Sequence, residues 1–368
     1  MSKSQVLDFD VLLAPVSEAA PTGVDLRDDA SPQSIYYRLK DLRSVARATE
    51  RRADSGEDTA GAQSEWRQVL DLSQQALTRQ AKDLEVACWL AEALVRTHGF
   101  AGLEDGLALI DALLETYGDK LHSLRDEEGL TTFLAPLAGL NGVEGEGTLI
   151  QPIRKVAVTT GEGGSYAAYH YAQAIDLGKL TDAAAKERRL AAGVPTLETF
   201  EDALRKSPKD FLRGLLANLT GSLAALDKLS DRLGEQFGKD APSTSRIRSM
   251  IEEVDDLVRT RTRDLLPPDP SPEQADGADT AAAANGLASN GARGVSGAVT
   301  NREEALRTLA KVSEFFKQTE PHSTIAFTLD DVIRRARLTL PELLAELLPD
   351  AEARRIFLTS AGIRPPDG

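Results

Sequence analysis

Near the C-terminus the stretch KQTEPHSTIAFTLDDVIRRARL sets His322 beside Ser323, after Pro321 and upstream of Asp330 and Asp331. These are the residue types of an acyl-transfer site, where a histidine takes the proton of a serine hydroxyl and a carboxylate orients the imidazole. Adjacent side chains rarely face one another, and no motif surrounds the pair. Pro321 reads instead as a break between helices and Ser323 as the cap of the next one. Asp330 and Asp331, followed by Arg334 and Arg335, read as a solvated face with local ion pairs. Two glycine-rich stretches raise a second chemistry, the cradling of phosphate by backbone N–H groups. The run Gly161 to Gly164 lacks the Lys-Ser/Thr that should follow, and Glu162 would repel phosphate. GVEGEGTLIQP (142–152) fails in the same way, so both are expected to be surface loops. His98, His122, His170 and His322 are scattered, and none has a His or Cys partner at metal-ligand spacing. His98 ends a helix and reads as structural. The lone Cys88 sits in a helix beside alanine and tryptophan, where an inert buried thiol is expected. No catalytic residue, metal or cofactor is assigned.

The elements available to position any of these groups are helices. Alanine and leucine dominate, which favours an all-α fold. Trp66, Val69, Leu70, Ser73, Ala76 and Leu77 fall on one helical face. Leu84, Ala87, Ala91, Leu94 and Val95 repeat the pattern, and Gly99 should stop that helix with a left-handed residue. Leu103, Leu107, Ile110, Leu114, Tyr117 and Leu121 form the next stripe, with Glu104 and Asp105 suited to a helix N-terminus. Short Gly-containing turns imply antiparallel neighbours. Lys82 and Asp83 are expected to combine a cap with a surface role. IRKVAV (153–158) is expected to be a short strand or an extended arm. Leu212, Leu216, Leu219, Leu223, Leu226, Leu229, Leu233 and Phe237 then form a near-heptad seam, and Ile247, Ile251, Val254 and Val258 line the return helix.

Residues 267–300 are built from Pro, Gly, Ala, Ser, Asn and Asp, too little apolar surface to offset ordering, so a flexible linker is expected there. As a coil it spans roughly 30–35 Å. The parts are therefore 1–178, an N-terminal helical bundle; 179–266, a middle helical hairpin; the linker; and 301–368, a small helical assembly domain. In that last part Ile325, Leu329, Val332 and Ile333, with Leu340, Leu343, Leu344 and Leu347, give more apolar face than one short bundle needs, which marks them for contacts between subunits.

The net charge is −15 over 368 residues. Such a chain does not seek phosphate backbones, which argues against nucleic acid as a partner. The tail 301–368 carries 10 Lys and Arg against 11 Asp and Glu, leaving −14 for the rest. A near-neutral apolar tail suits self-association while the charged part stays solvated. A single cysteine fits a reducing compartment such as the cytoplasm. The start has no uncharged core after a basic end, and no stretch approaches a membrane span, so neither signal peptide nor membrane insertion is expected.

The segment 81–124, AKDLEVACWLAEALVRTHGFAGLEDGLALIDALLETYGDKLHSL, resembles the N-terminal region of the TssA family of type VI secretion systems, the ImpA-related region. Lys82, Asp83 and Leu84 match its helix start. Gly99, Gly102 and Leu103 match its turn, and Tyr117, Asp119, Leu121 and His122 match its end. Gly118 stands where Trp is usual and Ser123 where Pro is usual. PTGVDLRDD (21–29), Trp66, FGKDAPSTSRI (237–247) and the tail with Pro321, His322 and Ser323 match further family segments in order. The resemblance implies a non-enzymatic cytoplasmic assembly factor. It would form ring-like homo-oligomers through its C-terminal region and contact baseplate, tail tube and contractile sheath subunits. The short tail resembles the baseplate-associated form. Two other classes stand beside this reading: a helical enzyme using His322 or the 159–166 loop, and a helical adaptor unrelated to secretion.

Overall fold

The structure, a computed structural model, describes residues 6–54, 62–127, 129–143, 145–266, 302–319 and 324–336, together with 338, 343 and 346. The chain divides into two units, Met1–Ala275 and Asp276–Gly368. The fold is all-α, with isolated bridges in place of sheets among the described residues.

The first unit contains α1 (Phe9–Leu13), α2 (Ile35–Asp54), α3 (Ala62–Arg79), α4 (Leu84–Tyr117), α5 (Leu130–Asn141), α6 (Ile150–Lys155), α7 (Ala168–Lys179), α8 (Ala183–Ala191), α9 (Leu197–Lys206), α10 (Lys209–Phe237) and α11 (Ser245–Thr262). At its centre is α4, interrupted by Gly99 at φ 60°, ψ −138°. The chain doubles back there, because a Cβ built on Gly106 would lie 3.0 Å from the Cα of Ala91. The two halves thus form an antiparallel hairpin, as the glycine turn predicts. Gly102 and Gly106, one turn apart, let the backbones meet: a Cβ on Gly102 would stand 2.3 Å from the carbonyl oxygen of Leu94.

The stripes predicted for α3 and both halves of α4 are buried throughout, from Trp66 to Leu121. Helix α10 runs alongside the second half of the hairpin in the same direction. Ser222 Oγ donates to the Phe100 carbonyl at 3.1 Å, Arg232 pairs with Asp111, and Gln236 Nε2 donates to the Leu114 carbonyl at 3.2 Å. Its buried seam is Leu212, Leu215, Leu219, Leu226, Leu229 and Leu233, with Leu216, Leu223 and Phe237 partly covered. Helix α11 returns with Ile247, Ile251, Val254 and Val258 buried. The Asn141 side chain, at the end of α5, accepts from the backbone N–H groups of Arg246 and Ile247 and so caps α11. One apolar core joins α3, α4, α10 and α11.

Two expectations change. Residues expected as a strand or an extended arm at 153–158 begin inside helix α6, and only Ala157 makes an isolated bridge, to Ala167. Ile150 and Ile153 lie one turn apart and both are buried, so the helical spacing of large apolar groups overrides the β-branched composition. Glu104 and Asp105, expected in the first turn of a helix, lie in the second turn after the Gly99 break and are buried. Asp105 Oδ2 accepts the backbone N–H groups of Val6 and Leu7 at 2.8 and 2.9 Å, which ties the N-terminal segment to the hairpin.

The second unit contains α12 (Arg302–Thr319) and α13 (Thr324–Ala336), which pack on one another. Leu306 and Ser313 are buried on α12 and Ala326 on α13. Ser313 Oγ donates to the Ala326 carbonyl and to Asp330, which also pairs with Lys317 at 2.7 Å. Asp331 pairs locally with Arg334 and Arg335, the solvated face expected of it. The linker 267–300, Pro321, His322, Ser323, Leu340, Leu344 and Leu347 lie outside the described residues.

Candidate functional site

The chain from Thr22 to Arg27, the Lys82–Leu84 start of α4 and His122 meet at the open end of the hairpin. Three short extended segments lie side by side there. Lys82 N donates to the Thr22 carbonyl at 2.8 Å, His122 N to the Lys82 carbonyl at 2.9 Å, and Leu84 N to the His122 carbonyl at 2.8 Å. Gly23, at φ 73°, fits only as glycine, since a Cβ would lie 1.9 Å from the Gln80 carbonyl oxygen. Asp83 caps α4 through Val86 N at 3.0 Å and accepts Arg27 Nη1 at 2.7 Å. Arg27 also reaches Asp25 and Glu85, each at 2.9 Å, and Tyr36 OH donates to Glu85 at 3.0 Å. Although burial opposes it, the surrounding carboxylates hold the Arg27 guanidinium firmly protonated.

Lys82 and Asp83 are both fully buried, so the expected surface role is replaced by an internal one. Lys82 Nζ donates to the carbonyls of Leu12 and Leu77, each at 2.7 Å. These carbonyls lie in the last turns of α1 and α3, where a positive charge opposes the helix dipoles. Tyr117 OH donates to the neighbouring Leu13 carbonyl at 2.7 Å. Burial pushes the Lys82 ammonium down to about 8. That value lies below the roughly 10.4 of an unfolded chain, so between the two the unfolded state binds more protons and folding is favoured by raising pH. The stability of the protein relative to a Lys82→Met variant should therefore rise by roughly 2–3 kcal/mol from about pH 8 to 10.5. Denaturant unfolding of both across that range checks it, and a flat difference is the contrary result.

The motif positions do not form one cluster. Gly99, Gly102 and Leu103 make the hairpin turn, about 15 residues and roughly 20 Å along the helix from Lys82. Asp119 is exposed in a 3-10 turn, and Ser123, in place of the family's usual proline, is buried with Oγ donating to the Phe133 carbonyl at 2.8 Å. Beside the hairpin turn opens a cleft of about 650 Å³, lined by Trp66, Val95, Phe100, Val156, Phe211 and Leu215, with Glu50, Arg96 and His98 on its polar side.

Along the flank of the hairpin runs a second set of charges that sequence reasoning missed. Buried Glu92 accepts Arg43 Nη2 at 2.7 Å and Nε at 3.0 Å, and Thr148 Oγ1 at 2.5 Å. Arg96 pairs with Glu50 at 3.0 Å and lies 4.0 Å over the Trp66 ring. Arg43 lies 5.7 Å over Trp89, which stacks on Tyr36. The signal was a lone Glu92 inside the apolar run WLAEALV, a charge that burial obliges to find a partner.

The remaining candidates make local contacts. In the 159–166 loop Thr159 Oγ1 donates to the Gly164 carbonyl and accepts from Tyr166 N, so the loop closes on itself. His170 Nδ1 accepts Ala167 N at 2.9 Å and burial lowers its pKa, which suits the neutral acceptor. His98 Nδ1 meets Thr97 Oγ1 at 2.9 Å. Cys88 is buried, which pushes its thiol well up. Among the described residues no group of three or more His, Cys, Asp or Glu side chains could hold a metal ion. No described helix is long and apolar enough to cross a membrane.

Comparison with known proteins places this hairpin and its cap in a family. Residues 13–142 match the model of the ImpA N-terminal region of type VI secretion systems. The type VI secretion system component TssA1 of Pseudomonas aeruginosa is 26% identical over 353 residues, covering 94% of this chain and 96% of that protein. The N-terminal domain of the TssA component from Burkholderia cenocepacia, which includes the ImpA N-terminal region, superposes with a TM-score of 0.59 at 27% identity, covering 72% of this chain and 97% of that one. Residues 13–142 thus carry the ImpA N-terminal region, and along 94% of its length the chain is similar to a TssA component of a type VI secretion system.

Proposed function

We propose that this chain is a non-enzymatic cytoplasmic assembly component of a type VI secretion system. It self-associates through residues 301–368 and presents its N-terminal helices to baseplate, tail tube and contractile sheath subunits. Its parts are the N-terminal bundle 1–178, the middle hairpin 179–266, the spacer 267–300 and the self-associating tail, and the short tail suits the baseplate-associated form. The observation that carries the reading is the likeness to TssA1, which extends along 94% of the chain and so includes the tail as well as the ImpA region.

Support for self-association comes from α12 and α13. Phe327 is 68% exposed, Phe315 60%, Val332 47% and Ile325 44%, a density of exposed large apolar groups unusual for a short helix pair. The register differs from the simple stripe. Leu329 and Ile333 are half-buried, as is Leu343, while Ile325 and Val332 are exposed. Substitutions at Leu329 or Ile333 would therefore disturb the subunit itself, and Phe327 and Val332 are the informative positions. Sedimentation velocity on the full chain should give an oligomer, and Phe327→Asp or Val332→Asp should give smaller species with unchanged helicity. A wild-type chain that is monomeric at roughly tens of micromolar would contradict the assignment.

A further inference from the structure

Arg43, Arg47 and Arg51 follow one another at four-residue intervals on α2, and Arg96 approaches from α4. Among the described residues, Glu92 pairs with Arg43 and Glu50 with Arg96. Thr148 also donates to Glu92. Arg47 is half-buried and has no hydrogen-bond or ion-pair partner among the described residues. Burial lowers its pKa, neighbouring Arg43, Arg96 and Arg51 add to that, and Glu92 opposes it. A partly desolvated guanidinium without an acceptor is costly, and elsewhere in this unit the covered arginines Arg27, Arg43, Arg96 and Arg232 each have one. Arg43, Arg47 and Arg96 thus outnumber Glu50 and Glu92 by one positive charge in a chain of net −15.

A second unanswered donor lies close by. Trp66 is 2% exposed, its ring lines the cleft beneath Arg96, and its indole Nε1 is buried without an acceptor. Glu50 and Arg96 belong to both the arginine cluster and the cleft wall, so the two features share an edge. An occupant of this edge meets donors at Arg47 and Trp66 Nε1 and an apolar lining at Val95, Phe100 and Val156, so it must bring acceptor oxygens and an apolar group side by side.

We infer that this edge is a docking site for an acidic segment of a partner protein, with a carboxylate on Arg47 and an adjoining large apolar side chain in the cleft beside Trp66. A carboxylate suits the site better than a phosphate backbone. The whole chain repels a polyanion, while a single carboxylate meets a cluster already tempered by Glu50 and Glu92. The apolar lining has no use for a free inorganic anion. This inference does not depend on self-association of the tail, which sedimentation tests separately.

The test is calorimetric titration of the full chain with the blocked peptide Glu-Glu-Leu-Phe-Glu-Glu, with its lysine counterpart Lys-Lys-Leu-Phe-Lys-Lys, and with inorganic phosphate. The acidic peptide should bind and the basic one should not. Arg47→Ala should weaken binding by about tenfold or more, the worth of one charge-assisted hydrogen bond. Gly214 lines the cleft on α10 and has open space beyond its Cβ position, so Gly214→Phe should fill the cleft without disturbing the core and should also weaken binding. Unchanged circular dichroism of both variants establishes that they fold. Acidic-peptide binding that survives both substitutions overturns the inference. So does the absence of such binding at millimolar peptide, or phosphate binding as tightly as the peptide.

Discussion

Gly102→Ala should be among the most damaging single-methyl changes in the protein. The added carbon would stand 2.3 Å from the Leu94 carbonyl oxygen and 2.7 Å from its carbonyl carbon, both backbone atoms of the opposite half of the hairpin. Neither can turn aside as a side-chain tip could, so the halves must separate. Overpacking of this kind costs on the order of 3 kcal/mol, which for a unit of this size is a fall of roughly 6–12 °C in melting temperature. Gly102→Val should prevent folding of the first unit altogether. Gly106→Ala, whose Cβ would lie 3.0 Å from Ala91, should cost less. Differential scanning calorimetry of the three variants gives the order. A Gly102→Ala protein as stable as wild type would mean that the halves are not in backbone contact.

Asp83→Ala should rank beside it. The carboxylate is fully buried, caps α4 through Val86 N and holds Arg27. Truncation removes the cap, worth about 1 kcal/mol. It also leaves Arg27, only 18% exposed, with fewer acceptors. Breaking one side of a buried pair costs about 3–5 kcal/mol, and Asp25 and Glu85 keep this case near the lower figure. A double-mutant cycle with Arg27→Met separates the two parts: the pair energy should vanish in the double variant while the cap loss remains. Equal losses in the presence and absence of Arg27 would assign the whole effect to the cap.

Periodicity carried most of what was legible in the sequence. The stripes at 66–77, 84–95 and 103–121 and the return helix at 247–258 are buried as their spacing requires, and Gly99 turns the chain where a helix stop was expected. These are local signals, decided within a few turns of the residue concerned. What was not legible depends on distant partners. Nothing within ten residues of Lys82 tells that its ammonium will meet the carbonyl of Leu12, or that Asp105 will accept from Val6 and Leu7. A charged pair at a helix start reads as solvated until the segment that covers it is known. On α13 Leu329 and Ile333 keep the places expected of them, but small Ala326, not Ile325, is the buried residue of the first turn, and Val332 is exposed. Close helix packing prefers the smaller side chain, and a hydropathy pattern ranks the larger one first. Resemblance to a family supplied what periodicity could not, by joining segments that physical reasoning alone would have left as an unremarked helical bundle.

The two tryptophans have an optical consequence. Trp66 and Trp89 both lie in the first unit, each beneath an arginine, and no tryptophan or tyrosine occurs from Asp276 onward. Ultraviolet emission of the intact protein therefore reports on the first unit alone, while far-ultraviolet dichroism reports helices of both. The chain carries a built-in pair of probes that distinguishes loosening of the tail from melting of the hairpin, without any label and without cutting the protein.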